Sequence, residues 1–180
     1  MITRVKWSIN DYHRMIAAGI LHDRRVELLA GEIIEVSPEG PLHASRIRKI
    51  ANYLRSLLNG LALISEAHPI TLTDSEPEPD VAIVRLPESR YDDHHPQVED
   101  IFWLIEISDS TLIKDLDTKQ KTYAAAGINE YWVVDLNASR LTVFRQPQGK
   151  AYAVRQELSQ GELSPVAFPE IAVLIEALFR

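Results

Sequence analysis

Cysteine is missing from this sequence of 180 residues, and its absence excludes several kinds of site. Without thiols there is no disulfide framework, thiolate zinc site, iron–sulfur cluster or cysteine nucleophile. The sequence also has no run of about 18 apolar residues that could span a membrane. Its first residues lack the apolar stretch of a signal peptide. These absences predict a soluble, cytoplasmic protein.

Several well-known catalytic motifs are also missing. The sequence contains no His-Glu-x-x-His pair, no Gly-x-x-x-x-Gly-Lys phosphate loop and no nucleophile elbow. The 19 Lys and Arg against 26 Asp and Glu give a net charge of −7. This balance argues against broad coating of nucleic acid, but it leaves room for a local basic patch.

What is present is an ordinary globular composition, with 46% hydrophobic and 25% charged residues. The length predicts a single domain over residues 1–180. The order of patterns predicts a mixed α/β (α+β) fold with three layers, in which helices flank a central mixed β-sheet. The predicted elements are a helix after Ser8, a hairpin over 25–36, a helix over 43–59, strands at 61–64, 70–73, 81–86 and 101–107, a helix over 112–126, strands at 131–134, 141–144 and about 151–155, and a helix over 171–179.

One carboxylate, Glu106, interrupts the apolar pattern of a predicted strand, and a second, Asp80, stands at the start of another apolar run. Glu106 lies within a buried run, where a charge is costly unless it is paired or binds a metal. It could instead be solvated at the strand end, and Asp80 could be a simple turn residue after proline. If the two strands are antiparallel, both acids meet at one sheet edge and offer the oxygen ligands that Mg²⁺ prefers. Glu27 could add a third carboxylate, although a surface acid on the hairpin is the more ordinary interpretation.

Pro79-Asp80, followed after about 25 residues by Glu106-Ile107-Ser108, resembles the PD-(D/E)XK nuclease superfamily. More narrowly, the sequence resembles the Uma-type endonuclease family within it, from the first helix to about Phe144. The further residues that carry this resemblance are 26–33, Ser37-Pro38 with His43, 79–82, 105–111, the series Asp115, Lys119 and Tyr123, and 127–135.

The resemblance implies a restriction-endonuclease-like fold and Mg²⁺-dependent hydrolysis of DNA, with Mn²⁺ able to substitute. It assigns Asp80, Glu106 and the carbonyl of Ile107 to the metal. It makes Asp80 and Glu106 catalytic together with Lys119 and Glu27, the latter acting through metal-bound water. A homodimer is also expected, because many nucleases of this fold pair to cut both strands.

The sequence departs from the superfamily pattern at Ser108, which stands where a lysine is usual. A helix that folds back along the sheet would bring Lys119 level with Glu106, and the family is thought to use such a relocated lysine. We expect Lys114 and Lys121 to lie on other helix faces. An alternative remains that Asp115 and Lys119 form only a surface ion pair.

Four residues are expected to contact the substrate, namely His43, Ser108, Tyr123 and Arg46. His43 could instead be purely structural, and Arg46 could belong to a solvated helix face. Two other functions stay open. One is a catalytically inactive nuclease-fold domain that binds nucleic acid or serves assembly, which the serine at position 108 favours. The other is an enzyme of small phosphodiesters, which would show a closed pocket and no basic track.

Overall fold

A six-stranded mixed sheet forms the centre of the molecule in the computed structural model, which describes residues 4–38, 40–109 and 111–180. A π-helical turn, Asp115–Lys119, joins the third and fourth helices. The elements are α1 (Ile9–Ala17), β1 (Val26–Leu29), β2 (Glu32–Glu35), α2 (Pro41–Leu57), β3 (Leu63–Glu66), β4 (Val81–Val84), β5 (Ile101–Ser108), α3 (Leu112–Lys114), α4 (Gln120–Ala126), β6 (Glu130–Asp135), β7 (Arg140–Gln148), β8 (Ala151–Leu158), β9 (Glu162–Leu163) and β10 (Val173–Leu174).

The strand order of the sheet is β3-β4-β5-β6-β7-β8. Of the six strands, only β5 and β6 run parallel. The helical segment between them, residues 112–126, forms the crossover that a parallel pair requires. Strands β4 and β5 are antiparallel, with Val81 opposite Ile105. This register brings the start of β4 beside the end of β5, as the sequence predicts for the two carboxylates.

Apolar side chains cover both faces of the sheet and produce three layers. On one face, Ile50 and Leu54 of α2 pack with Trp103 and Trp132. On the other face, Tyr123 of α4 packs in the cluster that contains Tyr131. From Trp103 to Ser108, the alternation of side chains along β5 therefore sends odd-numbered residues towards α2 and even-numbered residues towards α4.

The hairpin β1–β2 forms a separate two-stranded sheet and turns at Ala30-Gly31. Both turn residues have positive φ, at 48° and 74°. Two consecutive positive φ values are typical of the type I′ turn, whose twist matches that of the flanking strands. The predicted hairpin is therefore present, and its first strand carries Glu27.

Two predicted elements are wrong. Residues 70–73 do not form a strand, because their backbone N–H groups donate to loop carbonyls, including those of Pro77 and Pro96. The terminal helix predicted over 171–179 is instead β10 followed by a 3-10 turn, Ile175–Phe179. In the described part of the chain, no helix combines the length and apolarity needed to cross a membrane.

Candidate active site

Asp80 lies immediately before β4, and its carboxylate is fixed against the end of β5. The backbone N–H of Ile107 donates to Asp80 Oδ2 over 2.6 Å. His43 Nε2, from the first turn of α2, lies 3.0 Å from Asp80 Oδ1. Residues of the sheet and of α2 thus hold this carboxylate in one orientation beside Glu106.

Glu106 is buried on the face of β5 that α4 covers, so the interpretation as a solvated strand-end acid is wrong. Its Oε1 accepts hydrogen bonds from Lys119 Nζ and from the hydroxyl of Tyr123, each over 2.8 Å. Lys119 and Tyr123 are also buried. The alternative in which Asp115 and Lys119 form only a surface ion pair is therefore wrong, and Lys119 lies level with Glu106.

Glu27 is only 2% exposed, so it is not a surface acid of the hairpin. Its Oε1 accepts the backbone N–H of Glu78 over 2.9 Å and lies 3.3 Å from Lys119 Nζ. Its Oε2 lies 2.9 Å from Lys114 Nζ. Glu27 therefore joins β1 to the helical segment through two lysines.

The presence of Lys114 at this site corrects our expectation that it lies on another helix face. In an α-helix, residues five apart point in different directions, but the i→i+5 bonding of a π-turn widens the turn. Lys114 and Lys119 therefore both reach Glu27. Lys121 does lie elsewhere, since it pairs with Asp117 at the surface.

Ser108 and Asp115 form a second buried pair behind the carboxylates. The hydroxyls of Ser108 and Thr111 donate to Asp115 Oδ2 over 2.7 and 2.6 Å. The hydroxyl of Tyr131 donates to the Asp115 carbonyl. Ser108 is fully buried, and its hydroxyl is engaged within the protein by its hydrogen bond to Asp115.

A cleft of about 220 Å³ opens onto these groups between the hairpin, the first turn of α2 and the helical segment. Its lining brings together five residues that the sequence predicts for the site, namely Glu27, His43, Asp80, Glu106 and Lys119. Asp115, one of the residues that carry the resemblance, also lines the cleft. So does Lys114, although its spacing in an ordinary helix predicts another face.

Ser108, Tyr123 and Arg46 do not line the cleft, although we expected them to contact substrate. Ser108 and Tyr123 are buried and support Asp115 and Glu106. Arg46 lies on α2, and its Nη1 is buried without a hydrogen-bond partner among the described residues. Ser110, which belongs to the stretch that carries the resemblance, lies outside the described residues.

The family profile described as "Uma2: Putative restriction endonuclease" matches residues 9–176 of the chain. This chain belongs to the Uma2 family. No match was found among curated proteins. The structure is similar to the crystal structure of a putative nuclease belonging to DUF820 from Anabaena variabilis, with a TM-score of 0.66 and 18% sequence identity. That similarity covers 87% of this chain and 90% of the other, and it confirms the expected fold class.

Burial and repulsion among acids raise the pKa values of Glu106 and Asp115 in this Uma2 chain. Burial raises the pKa of Glu106 well above its usual range, and Asp80 adds to this shift while Lys119 opposes it. Burial likewise raises the pKa of Asp115 against the opposing charge of Lys119. The region therefore favours additional positive charge.

The lysines have the opposite effect on Glu27. Burial would raise its pKa, but the charges of Lys119 and Lys114 outweigh burial and lower it. Burial would also lower the pKa of Lys119, yet Glu106 and Glu27 together raise it. Lys119 is therefore ammonium at any physiological pH, and Glu27 is carboxylate.

The donor set fits a hard divalent cation bound by few protein ligands. Asp80 and Glu106 supply carboxylate oxygens, and Mg²⁺ is commonly held by one or two carboxylates with water and phosphate completing its shell. The site holds four carboxylates and two ammonium groups, which leave two negative charges when all are ionised. The carboxylates are those of Glu27, Asp80, Glu106 and Asp115, and the ammonium groups are those of Lys114 and Lys119. Among the described residues, no group of three or more His, Asp or Glu side chains forms a metal cage.

Proposed function

We propose that this Uma2 family member is a Mg²⁺-dependent endonuclease that hydrolyses phosphodiester bonds in DNA. One observation carries the proposal: Asp80, immediately before β4, lies beside Glu106 of the antiparallel strand β5, and Lys119 Nζ is 2.8 Å from Glu106 in a cluster that opens to a cleft. The family's description as a restriction endonuclease supports the reaction class.

The residues that would hold Mg²⁺, or Mn²⁺ in its place, are Asp80, Glu106 and the carbonyl of Ile107. When bound, such an ion lowers the pKa of a water ligand and neutralises charge on a phosphate. Asp80 is ready for this role because Ile107 and His43 fix both of its oxygens. His43 also lines the cleft, where we assign it a phosphate contact.

Lys119 supplies a fixed positive charge next to Glu106. Its ammonium stays protonated and lies between Glu27 and Glu106, so its fixed charge at the cleft can stabilise negative charge that develops on a nearby phosphate oxygen. The buried Tyr123 hydroxyl orients the Glu106 carboxylate by donating to the same oxygen as Lys119. Glu27, which contacts both Lys114 and Lys119, would position the two lysines.

The test is cleavage of supercoiled plasmid with Mg²⁺ or Mn²⁺ by the wild type, Asp80→Asn and Lys119→Met. We expect metal-dependent nicking that falls by about a hundredfold or more in both variants. Lys121→Met, which removes a surface lysine of the same segment, is the matched control and should nick normally.

Cleavage that survives Asp80→Asn would contradict the assigned site. Absence of cleavage by the wild type on duplex, single-stranded and branched DNA would favour the alternative, an inactive nuclease-fold domain used for binding or assembly. The homodimer and the cytoplasmic location remain predictions, which sedimentation and cell fractionation would test.

A further inference from the structure

Lys114 is a second cation at the site with an environment unlike that of Lys119. Its side chain is 27% exposed, whereas that of Lys119 is 5% exposed. Lys114 Nζ contacts one described acceptor, Glu27 Oε2, at 2.9 Å. An ammonium group has three donors, so two of them remain directed away from Glu27.

The two lysines share Glu27 but differ in how many protein partners each ammonium group has. Lys119 is enclosed by Glu27 and Glu106 and lies within 3.5 Å of the Glu78 carbonyl, so its donors are committed inside the protein. Lys114 lines the cleft and has only one described protein partner. Of these two, Lys114 has the ammonium that a bound anion can reach.

We propose that Lys114 binds a non-bridging oxygen of the substrate phosphodiester, and that Glu27 positions it for this contact. The proposal rests on the proposed function and extends it by identifying a lysine of the cleft that would contact the substrate phosphate. Without a reachable cation, the carboxylates of Asp80 and Glu106 would repel the phosphate of an incoming strand.

The geometry of the helical segment supports this role. The π-turn places Lys114 and Lys119 on the same carboxylate, and π-turns within helices often occur at functional sites. Lys114 would keep its bond to Glu27 while its remaining donors contact the phosphate. The Lys114 ammonium group would therefore not need to give up its contact with Glu27 when substrate binds.

The first experiment measures binding of a short fluorescein-labelled DNA duplex by anisotropy, without divalent ion, at NaCl concentrations between about 50 and 200 mM. We expect Lys114→Gln to weaken binding by about tenfold at the lowest salt concentration. The slope of log K against log[NaCl] should become shallower by about 0.9, which is the effect of losing one phosphate contact. Lys121→Gln, the matched control, should leave both values unchanged.

Cleavage kinetics then separate the two lysines. Lys114→Gln should act mainly through KM, whereas Lys119→Met should act mainly through kcat. Lys114→Arg keeps the positive charge and should restore most of the binding. This rescue would not be expected if position 114 only filled space beside Glu27.

The proposal is overturned if Lys114→Gln, with an unfolding midpoint equal to that of the wild type, binds duplex with unchanged affinity and salt slope. It is also overturned if the wild type does not bind DNA at all. If the wild type binds and Lys114→Gln weakens that binding, but no variant cleaves, the nuclease proposal fails while the phosphate contact stands. If Lys114→Gln is unfolded, the salt slope of Lys114→Met decides by the same criteria.

Discussion

At the scale of single residues, the site is a set of buried acids that would be unstable without their partners. Glu106 was predictable because it interrupts an apolar pattern, where a carboxylate needs a cation or hydrogen bonds. Asp80 was predictable because it stands at the start of a second apolar run, which meets the end of the first when the two strands are antiparallel. The burial of Glu27 was not predictable in this way. A single acid in a four-residue hairpin strand is ordinarily a surface residue, and it is the burial of Glu27 and its contacts with Lys114 and Lys119 that show otherwise.

Glu27→Gln should destabilise the protein in a pH-dependent manner. The lysines hold the folded-state pKa of Glu27 below the usual value of 4.5, so its stabilising effect is present above that pH and is lost as the pH falls through the lowered pKa. We expect the free energy of unfolding in urea to fall by about 2 kcal/mol at pH 7.

The difference between Glu27→Gln and the wild type should shrink as the pH is lowered to about 3. Glu35→Gln is the control, since Glu35 is an exposed acid of the same hairpin and should have little effect at either pH. An equal loss of stability at both pH values would show that the charge of Glu27 is not what the lysines stabilise.

At the scale of elements, the hairpin and the π-turn determine where the charged groups meet. The hairpin was predictable from its turn residues and alternating strands. The π-turn was not, because the spacing of apolar residues between 112 and 126 fits an ordinary helix. For this reason Lys119 was placed correctly while Lys114 was assigned to the wrong face.

The turn of the hairpin gives a prediction at this scale. Gly31 has φ +74°, and a Cβ there would lie 3.0 Å from Lys6 Cβ and 3.2 Å from the Trp7 carbonyl oxygen. Gly31→Ala should therefore lower the free energy of unfolding by more than about 1 kcal/mol through strain and crowding. Gly19→Ala is the matched control, because Gly19 has φ +72° but no atom within 4 Å of the added Cβ.

Urea unfolding of both glycine variants measures the difference. A larger loss of stability for Gly31→Ala than for Gly19→Ala would show that the added Cβ crowds the chain before α1. The Glu27 contacts should weaken with this loss of stability. Equal losses would mean that only the backbone conformation matters, and that the N-terminal segment does not pack firmly on the turn.

At the scale of the whole molecule, the three-layer arrangement follows from the sequence because β5 and β6 are almost continuously apolar and helical patterns flank them. The anchoring of the C-terminal segment did not follow. Glu130, fully buried, accepts hydrogen bonds from Arg145, the Trp132 indole and the Val166 backbone N–H. These partners lie up to 36 residues away, beyond any local pattern.

The overall charge of −7 also bears on the function. A protein with this charge does not attract DNA as a whole, so the proposed binding would depend on local cations, to which a metal ion at the carboxylates would add. The same charge means that exposed acids could bind divalent ions weakly. A test of metal binding therefore needs an exposed acid as its control.

Calorimetric titration with Mn²⁺ measures metal binding at the proposed site of Asp80 and Glu106, using the wild type, Asp80→Asn and Asp93→Asn. Asp93 is a suitable control because its side chain is 89% exposed. We expect the wild type to bind Mn²⁺, Asp80→Asn to raise the Kd by at least about tenfold, and Asp93→Asn to bind as the wild type does. Binding that is unchanged in Asp80→Asn, or absent from the wild type, would contradict a metal-dependent site at Asp80 and Glu106.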